Sequence, residues 1–432
     1  MTVQDSQSSP KALRIAILVA ALGYFVDVYD IVVFSIVRVP SLQSLGFSDE
    51  RVLEDGVLLL NLQMGGMLLG GILWGLLGDK IGRIQVLFGS ILLYSIANLA
   101  NAFVNDLTTY ATCRFFSGVG LAGEIGAGIT LVSEMMPKNR RGLATTLVAT
   151  IGVSGAIAAA TIGEAVHWRT AYIIGGLGGF ALLALRVGAF ESGMFQAVKK
   201  DISIKKGDIF LLLRDRRFVR YISCICVGIP LFFFVTLLMA LAPEVGKALN
   251  VTAPLSAGQA ALHYSIGITL GDVASGLLSQ YLKSRKKALA VFLMGAFVVS
   301  FLLAFANGAS PRYFYNLALL GGFSIGYWAM LLTTAAEQFG TNLRATVAST
   351  VPNFVRGSTI GITLLFEFLR PYLGMIESVR VVGAVSFALG FWGLYRLRET
   401  FHVDLDFIER QGVSNCDVLI MSEKEQSLVI NE

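Results

Sequence analysis

Long apolar segments, separated by short polar connections, run through almost the whole chain. A helix that spans a membrane needs roughly 20 predominantly apolar residues, and about twelve segments of the chain meet that criterion. The pattern therefore predicts an all-α integral membrane protein with twelve transmembrane helices. The segments lie near residues 12–36, 52–77, 84–104, 107–134, 143–163, 168–188, 217–242, 257–281, 287–307, 312–336, 345–369 and 376–397.

The longest polar interval, residues 189–216, divides the apolar segments into two groups of six. We expect an N-terminal bundle at 12–188 and a C-terminal bundle at 217–397, with 189–216 as a cytoplasmic middle loop. The tails, 1–11 and 398–432, are expected in the cytoplasm. A short internal repeat supports the division, because two triplets with equal spacing follow the fourth and tenth segments. The triplets are Glu134, Asn139, Arg141 and Glu337, Asn342, Arg344.

The composition excludes a soluble protein. The chain is 55% hydrophobic and only 15% charged, whereas soluble domains carry about 25% charged residues. Its net charge of +5 comes from loops after every second helix and from the middle loop. The positive-inside rule places those loops and both termini in the cytoplasm, so the charge needs no nucleic-acid partner. We expect a monomeric, multi-pass protein of a bacterial inner membrane.

The cysteines and histidines give no sign of a metal or cofactor site. The four cysteines show no zinc-ligand spacing, and we interpret them as packing residues, since free cysteine behaves as a small apolar group. His263 is expected to be a packing or rim residue. The polar segment 1–11 precedes a long first apolar run that contains aspartates, so we expect no cleaved signal peptide.

Several short motifs, taken in order, resemble those of the major facilitator superfamily. Residues 71–83 follow the family pattern G-x3-G-x3-D-K-x-G-R, although Ile84 stands where a second basic residue is usual. The resemblance implies secondary transport by the major facilitator fold, in which two six-helix bundles are related by an axis along the membrane normal. Further matching motifs lie at 114–120, 134–142, 337–346 and 398–400, the last with Arg398 where proline is usual.

Within that family the chain looks nearest to sugar porters and metabolite:proton symporters. Tyr29 and Asp30 resemble the proton-carrying pair of the first helix, and Arg114 resembles the fourth-helix arginine that pairs with it. Drug antiporters of the family carry a Gly-Pro motif in the fifth helix. The corresponding segment here, 152–160, contains no proline, which disfavours a drug exporter.

Burying a charged side chain within the membrane costs free energy, so each charged residue at that depth calls for a functional or structural explanation. Asp27 and Asp30 are three residues apart on the first helix, and Arg114 lies at a depth that matches Asp30. A pair of this kind could switch a proton as its arginine moves, or it could be a static buried pair. Glu124, beside glycines in the fourth helix, could be a second proton site or a hydrogen-bonded structural acid.

Arg356 lies near the middle of the eleventh helix, one turn from Asn353. A lone arginine at that depth would meet either an anionic substrate or a carboxylate such as Asp272. Other side chains could line a central substrate cavity, although aromatic residues in membrane helices more often pack or anchor at interfaces. These candidates are Tyr24, Tyr29, Gln63, Tyr327 and Trp328.

Six charged residues at cytoplasmic helix ends suggest gating instead of substrate recognition. Asp79 can cap a helix N-terminus, and Arg83 can bond Glu134 of a neighbouring helix. Such contacts would hold the inner side closed and would break when it opens. The gating set is Asp79, Arg83, Glu134, Arg141, Glu337 and Arg344.

The leading hypothesis is a proton-coupled symporter that takes up a small polar or anionic metabolite. An exporter of a metabolite or siderophore, or an uncoupled facilitator, would use the same fold. A membrane enzyme or sensor would require a nucleophile and a base, or a set of metal ligands, clustered at one depth. This class is disfavoured, because the chain has no zinc-protease motif of the His-x-x-Glu-His type.

Overall fold

The computed structural model describes residues 10–81, 83–135, 141–191 and 215–401. In this part of the chain the secondary structure is helical, with short turns between helices. The elements are α1 Pro10–Ser44, α2 Asp49–Ile81, α3 Arg83–Asn101, α4 Leu107–Met135, α5 Arg141–Ala165, α6 Trp168–Glu191, α7 Asp215–Phe233, a π-helical segment Phe234–Ala240, α8 Ala242–Ala248, α9 Ala257–Leu282, α10 Arg285–Ala304, α11 Pro311–Ile325, α12 Trp328–Glu337 and α13 Thr341–Arg396.

These elements make twelve membrane crossings, as the hydropathy pattern predicts. The helix α7 continues into the π-helical segment as one crossing, and α11 and α12 together form another. The helix α13 makes two crossings, because Gly374 adopts φ 75° and ψ 175° and reverses the chain. Glycine reaches a positive φ without the steric penalty that a side chain would add. The all-α fold class is confirmed.

Seven helical stretches of the described chain are long and apolar enough to span a membrane by length and composition. One of them, Thr346–Arg396, includes the reversal at Gly374 and therefore accounts for two crossings. Gln85–Asn101 and Ile151–Ala165 are shorter apolar helices. The start of α1 and the end of α13 lie on one side, which we call the termini side. The opposite side is called the distal side.

The helices pack in two groups that follow the sequence halves. The main contacts in the N-terminal half join α1 to α5, α2 to α4, and α3 to both α4 and α6. Those in the C-terminal half join α7 to α13 and α9 to α11. The halves meet chiefly where α2 packs on α13 and α5 packs on α9.

Glycines allow the closest approaches inside each half. A Cβ atom added at Gly66 of α2 would collide with the backbone carbonyl of Phe115 in α4, and Gly118 of α4 faces the backbone of Gln63 in the same way. In α9, Gly271 touches the backbone around Phe323. Lipid provides no hydrophobic drive between helices, so close van der Waals packing of small residues has to hold them together.

We expect Gly66→Ala to destabilise the protein, because the new methyl group meets backbone and not a movable side chain. Overpacking typically costs about 1–3 kcal/mol, so the melting temperature in detergent should fall by several degrees. Gly178→Ala in α6 is the matched control, since nothing lies within 4 Å of a Cβ atom added there. Equal melting temperatures for the two variants would contradict this account of the α2–α4 contact.

Candidate functional site: buried ion pairs around the first helix

Asp30 of α1 is fully buried where α1, α2 and α4 meet. Its Oδ1 lies 3.5 Å from Nη1 of Arg114 in α4. Its Oδ2 accepts hydrogen bonds from Gln63 Nε2 of α2 at 3.1 Å and from Ser117 Oγ of α4 at 2.9 Å. The structure thus brings together the two residues that the sequence places at matching depths, and adds Gln63 and Ser117 as neutral donors.

Aromatic rings surround the Arg114 guanidinium on its other sides. Its Cζ lies 4.6 Å from the ring centroid of Phe34 and 5.7 Å from that of Tyr172. The Tyr172 hydroxyl shares a 2.7 Å hydrogen bond with Tyr110, which lies 3.2 Å from Ser41 Oγ. The faces of such rings attract a cation. Arg114 therefore stays charged in a buried site although only one long hydrogen bond links it to Asp30.

Arg356 of α13 forms the second pair, and it crosses between the halves. Its Nη2 lies 2.7 Å from Oδ2 of Asp27, and its Nη1 lies 3.3 Å from Oδ1. Two parallel bonds of this kind fix the orientation of both groups. The sequence leaves the partner of Arg356 open between a substrate and Asp272, and in the structure the partner is Asp27. One turn away, Asn353 Nδ2 donates to the Ala122 carbonyl of α4 at 3.1 Å.

Glu124 of α4 forms the third pair, with Arg186 of α6. Arg186 donates to both carboxylate oxygens, one of them at 3.2 Å through Nη1. It also donates to the Val19 carbonyl of α1 at 3.3 Å. Arg186 has no role among the predictions from the sequence, because it lies near the end of the apolar segment 168–188, where a charge is ordinary. The structure extends α6 to Glu191 and so places Arg186 more than a turn before the end of the helix.

The predicted cavity residues divide into two groups. The hydroxyl of Tyr29 donates to the Ala171 carbonyl at 3.0 Å and that of Tyr327 to the Val227 carbonyl at 2.9 Å, so both tie neighbouring helices together. Tyr24, in contrast, lies within electrostatic range of Asp27, Arg356 and Asp272 and beside the Trp328 side chain. The central group therefore comprises Tyr24, Asp27, Arg356, Asp272 and Trp328.

Most of the predicted gating side chains lie outside the described residues, namely those of Asp79, Arg83, Glu134 and Arg141. Glu337 is described. It lies 3.3 Å from Nη2 of Arg285 and accepts a 2.7 Å hydrogen bond from Thr400 Oγ1. Arg344, which belongs with Glu337 to the second triplet of the internal repeat, has a half-buried side chain. Glu337 therefore joins α12 to α10 and to the chain after α13, all within the C-terminal half.

Glu399 reinforces this termini-side network. Partial burial raises the pKa of Glu399, but hydrogen bonds from the Ser284 hydroxyl and from the backbone amides of Arg285, Lys286 and Phe401 outweigh it and hold the pKa below its usual range. The carboxylate stays charged at neutral pH and fixes the start of α10 to the end of α13. It is the glutamate of the predicted 398–400 motif.

Among the described residues, three groups of polar contacts join the halves at the distal side, and we call them the distal clasp. Arg38 of α1 lies 2.5 Å from Oε1 of Glu244 in α8 and is almost fully buried. Arg38 also donates to the carbonyls of Val52 and Ala240, at 3.3 and 3.4 Å. The other two contacts pair Glu54 with Arg370, and Glu164 with both Ser256 and Gln259. The described conformation is therefore closed at the distal side.

Metal binding has no support in the described residues, where no group of three or more His, Cys, Asp or Glu side chains is arranged to hold an ion. The site offers instead carboxylates and guanidinium groups in water-poor surroundings. Such groups can exchange partners and take up protons.

Comparison with known proteins gives a family and a set of named relatives. The sequence profile of the Major Facilitator Superfamily matches residues 20–368. The chain is 26% identical to the niacin transporter NiaP of Acinetobacter baylyi, over 65% of the chain and 70% of that protein. It is 25% identical to the gentisate transporter of Corynebacterium glutamicum, over 90% of the chain and 89% of that protein. It is also 25% identical to the benzoate transport protein of Acinetobacter baylyi, over 80% of each.

Arg38→Glu should open the distal side, because it places two carboxylates against each other in a half-buried contact. Distances between nitroxide labels on Ser48 and Thr252, exposed residues of opposite halves, would report the opening by electron paramagnetic resonance. We expect a longer distance in Arg38→Glu and recovery in the double variant Arg38→Glu/Glu244→Arg.

Arg312→Glu serves as the control, since Arg312 is an exposed distal arginine that is not part of the distal clasp. Two results would show that the distal clasp does not hold the distal side closed. One is an unchanged distance distribution in Arg38→Glu, and the other is a distribution that the double variant does not restore.

Proposed function

Because the chain belongs to the major facilitator superfamily and is a membrane transporter, not an enzyme, we propose that it takes up a small aromatic or related organic acid together with protons. Relatives are named for niacin, gentisate and benzoate. Each of these compounds combines one aromatic ring with one carboxylate. Both features find partners in the central group.

The observation that carries the proposal is the buried, bidentate pair of Arg356 and Asp27 between the halves. A substrate carboxylate presents the same two oxygens as Asp27 and can replace it on the guanidinium. Arginine suits this exchange, since its planar fork matches carboxylate geometry. Tyr24 and Trp328, beside the pair, offer faces for an aromatic ring.

Substrate binding and protonation would then be linked by charge. When a substrate carboxylate occupies Arg356, Asp27 loses its cation in surroundings poor in water, and such a carboxylate favours its neutral form. Asp30 provides the second proton site, since motion of α4 relative to α1 changes the 3.5 Å contact with Arg114. Glu124, held by Arg186, is assigned a structural role that fixes α4 to α6.

Alternating access would proceed by rocking of the two halves around the central group. Opening the distal side requires the distal clasp to part, and closing the termini side would use the predicted set Asp79, Arg83, Glu134, Arg141, Glu337 and Arg344. The bacterial relatives and the loop charges support a bacterial cell membrane with both termini in the cytoplasm. An exporter or an uncoupled facilitator is the alternative with the same fold.

Proton coupling is tested in proteoliposomes with radiolabelled benzoate, nicotinate and gentisate. Uptake should rise when the outside is made acidic and should fall in Asp30→Asn to the level of empty liposomes, because asparagine cannot carry the proton. Asp106→Asn, at an exposed distal loop, is the matched control. Uptake that is indifferent to the pH gradient and unchanged in Asp30→Asn would rule out coupling through this residue and favour a facilitator.

Substrate recognition is tested by Arg356→Gln, which removes the cation but keeps a hydrogen-bonding side chain. Hydrogen bonds to charged groups contribute about 1.5–3 kcal/mol, so the Kd for benzoate should rise roughly 10–100-fold. Calorimetry or a ligand-dependent shift of the melting temperature measures it. Arg380→Gln, which removes an arginine bonded to the Ala304 carbonyl within the C-terminal half, should bind normally. Equal affinity in both variants would exclude Arg356 from the substrate site.

A further inference from the structure

The tenth membrane crossing is broken beside Asp272. The helix α11 ends at Ile325 and α12 begins at Trp328. Between them, the Tyr327 amide donates a hydrogen bond to the Ile325 carbonyl at 2.8 Å. Gly326 lies against the backbone of Gly271 in α9. This contact brings the break next to Asp272, far from either end of α9. Membrane proteins tolerate such irregular backbone where it is buried in protein or lines a cavity.

Asp272 uses one oxygen to cap α12. Its Oδ1 accepts a hydrogen bond from the Ala329 amide at 3.1 Å, which satisfies a donor at the start of that helix. Its Oδ2 is buried and has no hydrogen-bond partner among the described residues. The side chain as a whole is 4% exposed. A buried carboxylate oxygen without a partner is costly.

Capping alone does not explain a carboxylate at this depth. The helices α9, α10 and α11 are preceded by the N-cap residues Ser256, Ser284 and Ser310, whose hydroxyls each accept from the backbone amide three residues later. A serine would cap α12 without bringing an acid into the membrane. The second oxygen of Asp272 therefore needs its own explanation.

The Asp272 side chain belongs to the central group. Asp272 and Arg356 both act electrostatically on the Tyr24 hydroxyl, and Trp328, the first residue of α12, lies beside Tyr24. The helix α9 also contacts α1, which carries Asp27. The central group thus holds a cation that suits a carboxylate and, near it, an acceptor that lacks a donor.

We propose that Asp272 Oδ2 accepts a hydrogen bond from a ring hydroxyl of the substrate, so that the transporter prefers hydroxylated aromatic acids to unsubstituted ones. The proposal rests on the function proposed above, with the substrate carboxylate on Arg356. An unsubstituted ring would leave the Asp272 oxygen buried and unpaired. Sites built to hydrogen-bond a substrate hydroxyl discriminate strongly against the analogue that lacks it.

The test compares binding of benzoate, 3-hydroxybenzoate and 4-hydroxybenzoate to the purified full chain by calorimetry. In the native protein at least one hydroxybenzoate should bind roughly 10–100-fold more tightly than benzoate, the ratio expected for a hydrogen bond to a charged acceptor. Asp272→Asn keeps an oxygen for the Ala329 amide and replaces the free oxygen with an amino group. That variant should lose most of the preference, so that the Kd for benzoate and the Kd for the favoured hydroxybenzoate become nearly equal.

Each outcome decides between the claims. Equal affinities for all three acids in the native protein would overturn the role of Asp272, whether or not the variant folds. So would an equal loss of benzoate and hydroxybenzoate binding in Asp272→Asn, because a purely structural role predicts it. Arg356-dependent binding of benzoate without any preference would overturn this inference alone. Failure of every aromatic acid to bind would overturn the proposed function with it.

Discussion

The structure depends on one constraint: a charge buried among membrane helices must be compensated by an opposite charge or by hydrogen-bond partners, because water is not available to solvate it. Among the described residues, three ion pairs on or beside α1 meet this constraint. Asp30 contacts Arg114, Asp27 contacts Arg356, and Glu124 contacts Arg186. Two of these pairs lie within the N-terminal half. Only one of the three, that of Asp27 and Arg356, joins the halves.

This difference assigns the pairs different mechanical roles. A pair within one half does not have to part when the two halves rock, and only a smaller shift of helices inside that half changes its contact distance. Of these three, the pair of Asp27 and Arg356 is held between parts that must separate, so its rearrangement costs free energy during transport, as does the parting of the distal clasp. A substrate that replaces Asp27 lowers that cost by giving Arg356 another anion. Substrate binding and motion are thereby linked through a single guanidinium group.

The polar contacts between the halves are unevenly distributed along the membrane normal. The distal clasp joins them on one side and the central pair joins them in the middle. On the termini side, the described network of Glu337, Arg285 and Glu399 connects elements of the C-terminal half. Irregular backbone occurs at the same two levels as these contacts. The π-helical segment ends at Ala240, whose carbonyl accepts a hydrogen bond from Arg38 of the distal clasp. The helix break before Trp328 lies at the central group.

The long apolar segments of the sequence determined the fold class. A membrane-spanning helix must satisfy all its backbone hydrogen bonds internally, so its length and its lack of polar residues can be recognised in the sequence alone. The sequence also identified Asp27, Asp30, Arg114, Glu124 and Arg356 as charges that need an explanation, since apolar surroundings make any charge conspicuous. It did not single out Arg186, Arg38 or Glu244, because charges near helix ends are ordinary.

Only the tertiary structure decided which buried charged residues form ion pairs with each other. Arg356 and Asp27 are separated by most of the chain, and their contact depends on how α13 packs against the N-terminal half, which no local pattern specifies. In the structure the hydroxyls of Tyr29 and Tyr327 bond backbone carbonyls, whereas Tyr24 is part of the central group. It also placed a free oxygen of Asp272 there, because the orientation of a helix about its axis is set by its neighbours and not by its own sequence.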